Sequence, residues 1–494
     1  MTDRHPLRLS FGPQIQPTAR RRVDYAFRVF CATYGFTPVE SDDAPTLGYG
    51  LGPGATRHVS LTAGYQARPN TQPAAAPRWV PLDSSVRRNG ASDKGFPCFH
   101  GADGIARPDW LGELFEWISG AHEYSVTQTD AIGRLAYDET LHGRYQLDPL
   151  VPYAALAMHG LNSDIRSFVG PQWPSAPVNP WPDALTCAIA ATHDVDFLPV
   201  SLAQDMHRLL KDLAIAGFLH RDPKQALAIL GRSVRVLAGA RAPLDTLVPL
   251  LQREQEHGIR STCCVIPRRA HRRDATYDLH DPKVHGFLEK LVRAGAEIAL
   301  HGSYTSLESK GRLAEEYQEL RKAGFPAVGG RQHWLRYRTG AELIEEIRAA
   351  GGWYDCTFGY RTRPGFRNGA CFPFPPYNFA AESAFPVLEL PLVIMDTTLD
   401  EMTRRGEDAL PVCRQILSTV RQYGWGGTSI LWHDTTFGNA AMRPEVGEIY
   451  WQIKGENDLW MPAAELVKAV WPRYAAAGLV PSQLPAATPV ETHR

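Results

Sequence analysis

The chain has no apolar run approaching the ~18 residues that a membrane-spanning helix needs. Its opening residues, MTDRHPLRLSFGPQ, carry charges with no apolar stretch behind them, which does not suit a secretory leader. No CxxC pair occurs among the 8 cysteines; Cys263 and Cys264 are adjacent, and Cys187 and Cys413 lie in or near apolar runs. That usage argues against a disulfide framework and for reduced, buried thiols. The expected location is cytoplasmic, with no integral membrane segment; peripheral association with the inner membrane stays open. An excess of one charge is also lacking, since 52 Lys and Arg stand against 53 Asp and Glu for a net −1. A nucleic-acid partner is therefore not expected, because its phosphates would call for clustered basic residues. No internal repeat is visible.

What is present is ample material for a core, with 44% hydrophobic and 10% aromatic residues over 494 positions. At ~150 residues per domain such a chain holds more than one unit. The proline-rich stretch PQWPSAPVNPWPD marks a boundary, because proline favours extended backbone. It divides a mixed α/β N-terminal domain (1–170) from the linker (171–183) and a second domain (184–478), followed by a Pro-, Ala- and Thr-rich tail (479–494) that reads as disordered. In the first region, apolar spacing predicts helices over Thr18–Cys31 and Pro108–His122. The loop GYGLGPGATRH has GxG spacing but neither a lysine nor a following helix, so it reads as an ordinary turn. Beyond the boundary, TCAIAAT, STCCVIP, EIALH, AVGG, GWYDCTF, VLELPLVIM and TSILW read as buried strands. Helical patterns alternate with them, including an insertion over about 203–257. That alternation predicts an α/β fold with a parallel sheet, doubly wound or closed as a (β/α) barrel.

Chemistry collects where these strands end. His193, Asp194 and Asp196 follow the first; His301 to Thr305 follow EIAL; Arg331 and His333 follow AVGG; Asp396 follows VLELPLVIM; His433 and Asp434 follow TSILW. In a parallel barrel the C-terminal strand ends share one face. Asp and His without cysteine suit Zn²⁺ or a similar divalent ion (Co²⁺, Ni²⁺, Mn²⁺) in an open catalytic site. Such an ion acidifies water, a spare carboxylate takes its proton, and a spare histidine protonates a leaving group.

The ordered motifs THDVD, HGSYTS, RQH, DTT and LWHD resemble those of the polysaccharide deacetylases, carbohydrate esterase family 4. RQHWLRYRTG and GFRNGACFPF resemble a bacterial subgroup with an N-terminal extension. The resemblance spans about Leu185 to Trp471 and implies a distorted (β/α) barrel and metal-dependent removal of N- or O-acetyl groups. It implies that Asp194 is the general base and Asp196 a metal ligand; period-two alternation lets both face the site while Val195 packs behind. His301 matches the first metal histidine. Thr305 occupies the place of the second, which leaves His333 as the replacement ligand or as a substrate contact. His193 competes for the ligand role but alternates away from Asp194. Arg331 matches the arginine that orients the base, with a backbone N–H after it expected to hold the oxyanion. His433 matches the leaving-group acid and Asp396 the carboxylate that keeps it protonated. Asp434 is a second such carboxylate or a turn cap.

For the substrate, Arg268, Arg269, Arg272 and Arg273 in RRAHRR are a solvated loop or a reader of phosphate. Thr305, Arg336 and the ring-stacking candidates Trp334, Tyr337, Trp353, Tyr360 and Trp432 complete the expected substrate contacts. The implied substrate is an acetylated sugar or glycoconjugate precursor of envelope polysaccharide, phosphate-bearing if the arginines read phosphate. Two other functions fit the same sequence: hydrolysis of a non-sugar amide or ureide, and an inactive deacetylase-like scaffold. The oligomeric state is not legible.

Overall fold

A computed structural model describes residues 5–486 except 42–43, 52–57, 66–75, 82–94, 101–106, 127, 183–184, 199–201, 220, 239–246 and 438–443. Most of the GYGLGPGATRH loop and residues 487–494 of the tail lie outside the described residues.

Four parallel strands open the chain: β1 (His5–Phe11), β2 (Phe36–Pro38), β3 (Thr46–Tyr49) and β4 (His58–Leu61), in the order β2-β1-β3-β4. The helix Pro17–Tyr34 joins β1 to β2. Pro17 starts it, where a missing N–H costs nothing, and Gly35 ends it at φ 79°, a left-handed turn that glycine adopts freely. Its buried Val23, Phe27, Phe30 and Tyr34 recur at intervals of four, three and four, the spacing of one helix face. A small antiparallel pair, β5 (Arg78–Val80) and β6 (Phe96–Cys98), follows.

The larger sheet is parallel and gathers β7 (Cys187–Val195), β8 (Thr262–Val265), β9 (Glu297–Gly302), β10 (Gly329–Gln332) and β11 (Tyr354–Asp355) side by side. A hairpin of β12 (Tyr377–Asn378) and β13 (Ser383–Ala384) intervenes before β14 (Leu388–Glu389), β15 (Leu392–Met395) and β16 (Gly426–Leu431). The pieces β14 and β15 belong to one extended segment that changes partner at Leu390–Pro391. β14 pairs with β11 and β15 with β16, and Leu392 N–H still donates to Phe358 O at 3.1 Å. Because β16 pairs with β7, that segment brings the two flanks of the sheet together as an irregular (β/α) barrel. β17 (Asp458–Met461) lies outside the ring along the first half of β7, leaving the second half to β8.

Every residue of β7 is buried, as expected of a strand covered on both faces. The covering helices follow their sequence signals. Pro282–Arg293 begins at Asp281, whose carboxylate accepts Lys283 N–H, and buries Val284, Phe287, Leu288 and Leu291 on one face. Such burial is worth roughly 1.5–3 kcal/mol per side chain. β10 lies close to its neighbours because it begins with two glycines: a Cβ on Gly330 would stand 1.9 Å from Leu300 O. The predicted insertion consists of Leu202–Ala214, a π-helical turn Ile215–Leu219, Pro223–Leu237 and Leu247–Glu256.

One continuous apolar core runs through both regions. Arg22 on the first helix forms a bidentate pair with Glu382, Tyr25 hydroxyl donates to Pro375 O, and the Trp425 indole donates to Thr33 O. Within the proline-rich stretch, Trp173 stacks on Phe36 at 4.7 Å and Trp181 meets Trp425 at 5.9 Å. The disorder expected after Gly478 does not hold for residues 479–486. Leu479 and Val480 are buried, and two indoles, of Trp471 and Trp353, donate to the carbonyls of Pro481 and Pro485 at 2.8 Å. Proline removes donors from that segment but leaves its carbonyls to accept.

Candidate active site

The alternation of β7 sorts its polar end. His193 turns into the packing, where its ring bonds Glu254 at 2.9 Å and Trp432 O at 2.8 Å, both fully inside the protein. Asp194 turns to the mouth of the barrel, with Oδ1 accepting from Arg331 Nη1 at 2.8 Å and Oδ2 lying 3.5 Å from His301 Nε2. Asp196, two residues on, shares that side. Its Oδ1 lies 3.4 Å from His301 Nε2 and 3.6 Å from His333 Nδ1.

Register brings the remaining groups in. β9 and β10 are paired so that His301 lies beside Arg331. Arg331 is fully buried; its Nε donates to Cys356 O and its Nη1 to Thr192 and Asp194, while its Nη2 is buried without a partner. His301 Nδ1 bonds Arg331 O at 3.0 Å, and His333 Nε2 bonds Arg273 O at 2.8 Å. A carbonyl only accepts, so those nitrogens carry the ring protons. In the neutral rings, His301 Nε2 and His333 Nδ1 therefore face each other as lone pairs, 2.8 Å apart. Asp196 Oδ1 completes the trio and is a buried atom with no hydrogen-bond partner. The ligand atoms of these three residues lie within 4.8 Å of one another. With both rings neutral, three acceptors converge in an arrangement compatible with a cation between them. Thr305 is not one of the trio; its hydroxyl is buried without a partner.

Across the mouth, His433 Nδ1 meets Asp396 Oδ1 at 2.8 Å and its Nε2 lies 3.8 Å from Asp196 Oδ2. Asp396 is fully buried and also accepts from His433 N–H, Thr397 N–H and the Thr436 hydroxyl. Asp434 does not touch His433's ring. It accepts the N–H groups of Asp196 and Phe197 at 3.3 Å, the turn-cap role, and so fixes the loop that carries Asp196.

The electrostatics follow from these neighbours. Burial would raise Asp194, but the charges of His301, Arg331 and His433 outweigh it and hold the carboxyl below its ordinary value. Asp196 is lowered too, with burial overcome by His333, His301 and His433. Burial would lower His433, but Asp396 beside it, helped by Asp196 and Asp194, pushes its pKa up to about 10. His333 is lowered by burial, whereas His301 is raised because Asp194 and Asp196 outweigh its burial.

The expected substrate contacts divide sharply. Trp334 stands at the mouth, 36% exposed, with its ring 5.8 Å from His333 and Arg273 packed over its face. It and Leu335 adopt positive φ of 62° and 51°, strained conformations for non-glycine residues. Arg134 of the N-terminal region donates to Trp334 O at 3.0 Å and helps hold that turn. Trp432 is not a substrate contact: it is fully buried, donates to Val446 O and packs on Tyr450. Tyr337 and Tyr360 are buried as well, and Trp353 is tied to Pro485. Arg336 is also engaged elsewhere, bonding Ile132 O and Tyr304 O at 2.7 Å. Arg268 is exposed and lies 3.4 Å from Glu319, while Arg272 is exposed. The N–H after Arg331 is not free for an oxyanion, because Gln332 N–H donates to the Thr357 hydroxyl at 3.0 Å.

Several contributors had no signal in the sequence. Arg273, read in RRAHRR only for its side chain, supplies through its main chain the carbonyl behind His333. Asp274 accepts from Ala270, His271 and Tyr304 N–H groups and so holds that loop to the HGSYTS turn. Thr436, three residues after His433, was the more legible omission.

No family model and no curated protein matches the chain. Among solved structures it is similar to one from Mycobacterium smegmatis provisionally assigned as a polysaccharide deacetylase, at 20% identity over 63% of this chain and 97% of that one. The TM-score is 0.36, so the two superpose only loosely.

Proposed function

We propose that the protein is a metal-dependent hydrolase of the polysaccharide deacetylase family that removes an N- or O-acetyl group from a sugar or glycoconjugate. The observation that carries this reading is the convergence of Asp196 Oδ1, His301 Nε2 and His333 Nδ1 with no proton donor among them. These residues would hold a divalent ion, Zn²⁺ first among the candidates for two imidazoles and a carboxylate. When bound, such an ion supplies the positive charge that acidifies a water and polarises a carbonyl.

The chain's own groups account for the proton movements. Asp194 is kept ionised by Arg331 and takes a proton at the carboxylate oxygen that faces His301. Arg331 Nη1 holds the other oxygen, which fixes the direction from which Asp194 acts. His433 is kept protonated by Asp396 and presents Nε2 toward Asp196, placed to give its proton to the departing amine or alkoxide. Base and acid thus lie beside different members of the trio, Asp194 by His301 and His433 by Asp196.

The test is acetate release from a panel of acetylated sugars and sugar nucleotides, with ureides alongside, by protein loaded with each candidate ion. Asp194→Asn should abolish turnover while retaining the metal. Loss of the metal in that variant would exchange the roles of the two aspartates. Protein that takes up no ion would sink the reading.

A further inference from the structure

The insertion that leaves the barrel after Asp196 carries apolar residues in two directions. Inward, Leu209, Ala216 and Ile229 form a small core with Met206, Leu213 and Ala226. Outward stand Leu210, Phe218, Leu227, Leu230, Val234 and Leu237, six of the nine large apolar side chains exposed among the described residues. Leu227, Leu230, Val234 and Leu237 recur at intervals of three, four and three along Pro223–Leu237, which makes them one stripe of that helix. Phe218, 87% exposed, sits on the turn between the two helices. A Cβ on Gly217 or Gly231 would meet open space, so nothing among the described residues packs over either place. A soluble protein rarely leaves such a patch uncovered without a partner for it.

The patch is also basic. By sequence, residues 202–237 hold six Lys and Arg against three Asp, a net +3 in a chain whose total is −1. Lys211, Arg221 and Lys224 are exposed. The hairpin is tied to the helix that leaves the mouth: Arg404 donates to Gln225 on it at 3.1 Å, and Arg404 ends the helix that Asp396 begins.

We infer that this hairpin is a docking surface for an anionic lipid bilayer. Its apolar stripe and Phe218 seat at the boundary of headgroups and acyl chains, and its bases meet the anionic headgroups. No helix among the described residues is long and apolar enough to cross a membrane, so the contact is with one face of the bilayer. A second copy of the chain fits less well, because it would set +3 against +3. Docking there brings the mouth to the membrane surface. If the deacetylase reading holds, on which this clause rests, the substrate is a glycan carried on a membrane lipid.

The test is flotation of the full-length protein with vesicles of phosphatidylglycerol and phosphatidylethanolamine, and with phosphatidylcholine vesicles. Binding to the anionic vesicles that weakens with salt is expected, with little binding to the neutral ones. Replacing Leu227, Leu230, Val234 and Leu237 together by Ser, or Phe218→Ser alone, should cut binding by at least about tenfold. Circular dichroism and thermal unfolding check that each variant stays folded, and the single change at the exposed turn keeps the test alive if the quadruple variant does not. Absence of wild-type flotation, or flotation of the Phe218→Ser and quadruple variants undiminished from wild type, overturns the proposal. So does a concentration-dependent dimer, abolished by the same changes, in protein that ignores vesicles. No substrate enters this assay, so its failure is separate from failure of the deacetylase reading.

Discussion

His301 and His333 stand on one side of the mouth and His433 on the other, and what lies behind each ring sets them apart. The first two rings lean on main-chain carbonyls, of Arg331 and Arg273, which fix a tautomer without adding charge. Their inward nitrogens are left as lone pairs, suited to a cation. The third leans on a buried carboxylate, Asp396, which holds a proton on the ring up to a pKa of about 10. One kind of side chain is thus suited to be a ligand or an acid according to whether its partner is a neutral or a charged acceptor. Asp196 lies between the two sides, facing His301 and His333 through one oxygen and His433 through the other.

The largest expected effect is at Asp194, the proposed base beside His301. Asp194→Asn should lower kcat by about 10²–10⁴, the range for losing a positioned base, with metal content unchanged. On the ligand side, His301→Ala and His333→Ala should lower metal content together with activity, read by metal analysis of dialysed protein. An His333→Ala variant that kept its metal would return His333 to substrate contact. Metal affinity should also fall as pH drops, because the imidazoles must be unprotonated to bind.

On the acid side, Asp396→Asn should leave metal content intact and move the alkaline limb of the kcat profile. That limb should fall from about 10 toward the ordinary imidazole value of ~6.5. An unmoved limb would mean that His433 is not the group whose proton the reaction uses. The sign for stability is the same: a raised folded pKa contributes stability that is complete below ~6.5 and is lost as pH rises through about 10.

The smallest effects separate two tryptophans. Trp334→Ala should raise KM by about 2- to 10-fold, the equivalent of ~0.5–1.5 kcal/mol for a ring contact. Trp432→Ala should leave KM alone and cost about 3–5 kcal/mol of stability, because its ring is in the core. Thermal unfolding of both proteins alongside their kinetics checks the contrast.

Much of this was legible in the chain. Period-two alternation alone placed Asp194 and Asp196 on one side and His193 on the other, and the strand-end position of RQH drew His333 inward. The same alternation applied to Trp432, the neighbour of His433, would have turned it away from the mouth. Arg336 could not be judged that way, since its partners are carbonyls at Ile132 and Tyr304, far off in sequence. The short strand β17 escaped because four residues carry too little periodicity to read.

Local spacing along the chain set the alternation of most strands and helices, the chemical equipment of each strand end and the residues that alternate together. These depend on spacings of two to four residues, which the backbone's own geometry translates into faces. Long-range packing made the segment from β14 to β15 change partner and draw the barrel together. It also set the carbonyls of Arg331 and Arg273 behind two histidines and a carboxylate behind the third. Those partners come from other strands and loops, so they exist only once strand register and packing have brought distant parts of the chain together.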